Sequence, residues 1–245
     1  MPVINIKNFD IVNMTMKDLA TRSTGFKSIP VRYAGNILRV QTPKMEQIFD
    51  ISDPPASDSA TTNYGLNLSF RGEDSDTKIE EFRNAMVSVD EFNMDYATKN
   101  SKELFGKAYS KELVEEFHKP IVKFSQKLMK EGTPYPPTMK VKLRFRSNRP
   151  EFEVYDQDKK QLPALNVETG EADLEMYQPR TKMINLLEYG GMWVVGKSFG
   201  ATWRVVQSRV YNDGVFKGCA IVDSDDDSDD DGEPASSVLS DDSDF

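Results

Sequence analysis

The chain has 245 residues, with 31 Lys or Arg, 40 Asp or Glu, one His and one Cys, and a formal charge of −9. A single Cys excludes an intramolecular disulfide, and one Cys with one His excludes a structural zinc site built on those ligands. Eleven of the acids and none of the bases follow Val222, which leaves residues 1–222 at about +2, so the overall acidity does not exclude a nucleic-acid partner.

The start, "MPVINIKNFD", lacks the charged and apolar segments of a signal peptide, and runs such as "MWVV" and "CAIV" are too short to span a bilayer. A soluble intracellular protein is expected. "SIPVRYAGNILRVQTP" reads as two strands joined at Gly35-Asn36, a pair suited to the positive φ of tight hairpins. A polar loop, "DISDPPASDSATT", leads to the strand "YGLNLSF". Then the period changes: Ile79, Phe82, Met86, Val89 and Asn93 are spaced for a helix, with Ser75-Asp76 as its N-cap. "SKELVEEFHK" predicts a second helix, stopped before Pro120.

Strands resume at "MKVKLRFR", followed by "FEVYDQDKKQLP" as a strand and turn. The stretch "INLLEYGGMWVVGKSFGATWRVVQSRVYNDGVFKGCAIV" is dense in β-formers, with Gly at the corners. Strands without βα alternation predict a mainly β protein, a barrel or sandwich with a helical insertion near 75–119, and an acidic, low-complexity tail over 223–245.

"GGMWVVGKS" matches the spacing of a nucleotide-phosphate loop through Gly191, Gly196, Lys197 and Ser198. The match is rejected, because the following "FGATWRVVQ" favours a strand where that chemistry needs a helix N-terminus. The basic strand carries more weight. Met139, Val141, Leu143 and Phe145 share one face, Lys140, Lys142, Arg144 and Arg146 the other, with no acid among them, and Arg149 extends the basic stretch. Four like charges in a row repel one another, and an anionic partner relieves that cost.

Downstream, Trp193, Lys197, Phe199, Trp203, Arg204, Arg209 and Tyr211 mix bases with aromatics, as binders of single strands do. Trp203 is read more as core than as platform, and Phe199 beside Gly200 as the better stacking candidate. His118 is read as a surface residue and Cys219 as inert core. No catalytic or metal constellation is recognisable, so neither an enzyme nor a cofactor is expected.

A barrel with a basic strand, an aromatic-rich closing hairpin and an acidic tail ending in Phe245 resembles the single-stranded-DNA-binding proteins of short-tailed phages. It is similar to related replication proteins of nucleocytoplasmic large DNA viruses. "SIPVRYAGNILRVQTP", "YPPTMKVKLRF", "GKSFGATWRVVQ" and the terminal "DDSDF" carry the likeness. The resemblance implies an OB-fold-like barrel over 1–222 that binds single strands without sequence preference, by way of Lys140, Lys142, Arg144, Arg146, Arg149, Lys197, Phe199, Trp203, Arg204 and Arg209. It further implies a disordered tail that occupies the groove when DNA is absent. Asp241, Asp242, Asp244 and Phe245 would then recruit a replicative DNA polymerase and a helicase or primase. A homodimer, roles in replication, recombination or repair, and a location at viral replication sites in the host cytoplasm or nucleus belong to the same expectation.

Ser224 and Ser228, each with Asp three residues on, fit an acid-directed kinase. The competing reading is an acidic-tailed histone chaperone, in which the tail is the working surface; it leaves the basic strand without a role.

Overall fold

The structure, a computed structural model, describes residues 3–21, 25–54 and 60–211. Five strands carry the architecture: β1 (Met45–Gln47), β2 (Thr61–Ser69), β3 (Thr138–Arg146), β4 (Lys182–Val195) and β5 (Ser198–Tyr211). β1 pairs antiparallel with β2, and β2 with β3 along its whole length, from Thr61–Arg146 to Ser69–Thr138. β5 meets β3 in parallel at Lys142–Arg204, the β4–β5 hairpin is antiparallel, and Met183–Met45 brings β4 back to β1. The circuit 1-2-3-5-4 closes a mainly β, OB-fold-like barrel, thinnest where β3 and β5 share one register pair.

The side-chain period explains the closure. Met139, Val141, Leu143 and Phe145 of β3 are buried, Lys140, Lys142 and Arg146 are exposed, and Arg144 is partly covered. The interior also receives Leu66, Leu68, Met183, Leu187, Trp203, Val205 and Val210. Burial of such a set outweighs many local preferences, at ~25 cal/mol per Å² of apolar surface.

Three helices lie between β2 and β3: α1 (Thr77–Lys99), α2 (Ser101–Phe105) and α3 (Lys111–Phe117), which is the insertion expected near 75–119. The Asp76 carboxylate caps α1 by accepting from the Lys78 N–H at 2.9 Å, and Ile79, Phe82, Met86, Val89 and Asn93 face the barrel. Phe82 stacks on Phe70 with centroids 5.9 Å apart, tying the insertion to the end of β2. A second apolar cluster of Ile29, Ala97, Leu104, Val114, Met192, Val194 and Phe199 joins the helices to the hairpin tip.

Two sequence expectations change. The tight turn uses Ala34 and Gly35 (φ 45° and 82°) between Tyr33 and Asn36, one residue earlier than Gly35-Asn36. The flanking strands then part: Val31–Tyr33 pairs with Met14–Met16, and Arg39–Gln41 with β4. His118 is not a surface residue. α3 ends at Phe117, the extended His118 bridges to Phe199 of β5, and its side chain is 7% exposed against Asp90, with Nε2 3.2 Å from Oδ1. The phosphate-loop spacing falls on the β4–β5 turn, where Gly196 and Lys197 lead straight into a strand, so the rejection stands on backbone as well as on sequence. Cys219, the tail acids, Ser224, Ser228 and Phe245 lie outside the described residues.

Candidate nucleic-acid interface

The outward face of β3 is the basic stripe. Opposite it in register, β2 presents only small or uncharged groups: Asn67 beside Lys140, Gly65 beside Lys142, Asn63 beside Arg144 and Thr61 beside Arg146. The Lys140 side chain lies across Gly65, where any Cβ would displace it. The stripe continues onto β5, because Lys142 pairs with Arg204, and an open groove of about 520 Å³ runs over this surface. Lys142, Arg144, Arg204, Arg32, Asn63 and Thr202 line it, with Trp193 and Phe26 at its aromatic end.

Electrostatics separate the cations. The Lys142 ammonium is held below the usual lysine range, first by desolvation in the groove and then by the charges of Arg144 and Lys140. Arg144 and Arg146 share one carboxylate, since Glu151 places Oε2 and Oε1 each 2.9 Å from their Nε atoms. This corrects the expectation of an acid-free face: the tight turn at Ser147-Asn148, both at positive φ, folds Glu151 back over the end of β3. Arg39 and Arg204 share a second carboxylate, Glu188, which is 3% exposed. Burial alone would raise the Glu188 pKa, but hydrogen bonds from Arg204 and Arg39, and their charges, hold it below the usual range.

The aromatic reading holds for Trp203, which is core, and reverses for Phe199. Phe199 is fully buried, with the His118 ring at 5.0 Å and the Phe105 ring at 5.8 Å, so it has no face for a base. Trp203 is also buried, 4.8 Å from the Tyr189 ring. Trp193 is the aromatic that reaches the groove. Continuing the alternation of Met183, Leu187 and Tyr189 would turn it inward, but one extra residue at Gly190-Gly191 shifts the register between Tyr189 and Met192 and reverses the phase. Gly191 is needed there: its φ is 91°, and a Cβ would stand 2.5 Å from the Ile29 carbonyl oxygen.

Of the remaining expected residues, Lys140 and Arg146 extend the groove's basic flank, and Arg149 is exposed at the turn beyond Arg146. Lys197 sits apart on the hairpin turn, its ammonium 5.8 Å from the Tyr109 ring and 5.7 Å from the Phe117 ring. Arg209 is half-buried with its guanidinium 5.3 Å from the Tyr211 ring, and it does not line the groove. Sequence reading missed Arg32, Arg39, Glu188 and the outward turn of Trp193. The signal for Glu188 was a lone acid in the apolar "INLLEYGG", and the signal for Trp193 was the Gly pair that precedes it.

No curated protein matches the chain. Among solved structures, gp2.5, a single-stranded DNA binding protein encoded by bacteriophage T7, is 12% identical, with a TM-score of 0.43 over 83% of this chain and 100% of that one. The C-terminally truncated single-stranded DNA-binding protein from bacteriophage Enc34 is 11% identical (TM-score 0.41) over 80% of this chain and 95% of its own. The same Enc34 protein in complex with single-stranded DNA is 10% identical, with a TM-score of 0.41 over 78% and 93%. These likenesses are loose, and the strand pairing defines the fold. A model described as a family of unknown function, DUF5871, matches residues 69–219, more than half of the chain, and the chain belongs to that family.

Proposed function

We propose that the protein binds single-stranded DNA without sequence preference, and acts as a binding protein rather than as an enzyme. One observation carries the reading: the cations of β3, faced by uncharged residues of β2, continue through Arg204 into a groove that ends on a half-buried Trp193. Phosphates follow a line of cations, and an unstacked base needs an aromatic face at its side, worth ~1–3 kcal/mol per stack. Lys142 supports it, since an ammonium partly desolvated and crowded by like charge gains most from an incoming anion.

The setting we infer is replication, recombination or repair of a large DNA virus genome, at replication sites in the host cell. The eleven tail acids, tethered to a body of about +2, compete with DNA for basic surface at high effective concentration. Displaced by DNA, the tail's Asp241, Asp242, Asp244 and Phe245 recruit a polymerase and a helicase or primase. A homodimer is compatible with this scheme.

Titration of a labelled oligo-dT with the full chain and with a 1–222 truncation tests the proposal. Both should bind, the truncation more tightly. Absence of binding by either at low salt overturns it, and histone binding by the full chain alone would replace it with the chaperone reading.

A further inference from the structure

We infer that Glu188, an acid in a basic groove, is a positioning residue that strengthens phosphate binding by holding Arg204 beside Lys142. The inference rests on the nucleic-acid reading of this groove.

Glu188 occupies one row across five paired strands: Gly65, Lys142, Arg204, Glu188 and Arg39 are successive register partners. Each carboxylate oxygen takes one arginine. Arg39 donates from Nε at 2.7 Å and approaches through Nη2 at 2.6 Å on Oε2, while Arg204 donates to Oε1 from Nε at 3.0 Å and also from Nη2. Both guanidiniums thus spend their Nε/Nη2 edge on the clamp, which leaves the Nη1 group of each outside it. The carboxylate is buried and its partners are partly open, with side chains 24% exposed for Arg39 and 32% for Arg204. Two arginines on one carboxylate leave a net positive charge, and Arg204 is fixed across from the Lys142 ammonium instead of sampling rotamers. The junction of Lys142 and Arg204 is then a prepared seat for one phosphate of the strand.

Charge counting and positioning predict opposite results. If Glu188 only subtracts charge, Glu188→Gln tightens oligo-dT binding and steepens its salt dependence. As a positioning residue, its loss weakens binding about tenfold, because the charge-assisted bonds that orient Arg204 are gone. The slope of log affinity against log salt then falls by about 0.7, the share of one phosphate on a single strand. Glu188→Asp keeps the charge but is too short to hold both arginines, so it should also weaken binding, whereas charge counting predicts no change. Thermal melting of each variant reports folding, and lost stability alone leaves the salt slope of the folded protein untouched. Unchanged affinity and slope in Glu188→Asp, or tighter binding by Glu188→Gln, overturns the inference while wild-type binding upholds the groove. No wild-type binding at low salt overturns both.

Discussion

Trp193 lies against Gly200. The two are register partners across the β4–β5 hairpin, and a Cβ at position 200 would come within 3.0 Å of the indole Cζ2. The indole N–H donates to the Ala201 carbonyl at 3.3 Å, so the ring is pinned against the strand. On its other side the register partner is Ser28, another small residue. A ring braced this way presents a stacking face at little entropic cost.

Trp193→Ala should therefore weaken oligo-dT binding by about 5- to 150-fold while the protein stays folded, the range expected for loss of one base stack. Trp193→Phe should recover part of the loss. Indole fluorescence of the wild type should be quenched on titration. Unaltered affinity in Trp193→Ala would remove the platform from the groove.

Phe199→Ala should behave in the opposite way. Phe199 fills the second apolar cluster against Phe105 and His118, and emptying such a site costs ~3–5 kcal/mol. The expected result is a large drop in the denaturation midpoint, with the affinity of the remaining folded protein unchanged. Undiminished stability together with weakened binding would restore Phe199 as a platform.

The contrast between these two aromatics shows what the sequence carried. The two-residue period of "MKVKLRFR" and the helical spacing from Ile79 to Asn93 are local signals, and both elements form where they were read. The face of Trp193 is not local. It depends on a single extra residue at Gly190-Gly191, and a bulge reverses every later position without changing composition. The acids that moderate the groove were equally hidden: Glu188 meets Arg39 across 149 positions, and Glu151 reaches Arg144 only because the chain doubles back.

Those two acids should respond differently to neutralisation. Glu151 is 30% exposed and bridges two arginines at the rim of the groove, where an ion pair contributes ~0–1 kcal/mol to stability. Glu151→Gln should stay folded, release Arg144 and Arg146 toward phosphate, and tighten oligo-dT binding with a steeper salt slope. Weaker binding would show that Glu151, too, orients its arginines.

Lys142 gives the groove a pH dependence with a definite sign. In the free protein its ammonium is held below the usual value of ~10.4, so in the window between the two values the unfolded chain binds more protons than the folded one. Without DNA, this residue makes stability rise with pH across that window. Bound phosphate favours the charged form, so affinity should fall as pH climbs through the lowered value, earlier than for an ordinary surface lysine. The two trends oppose each other, which separates this effect from general alkaline unfolding. Lys142→Arg should flatten both, because a guanidinium stays charged throughout. Binding and melting curves from about pH 8 to pH 10.5 provide the measurement, and superimposable profiles for wild type and Lys142→Arg would remove Lys142 from the phosphate path.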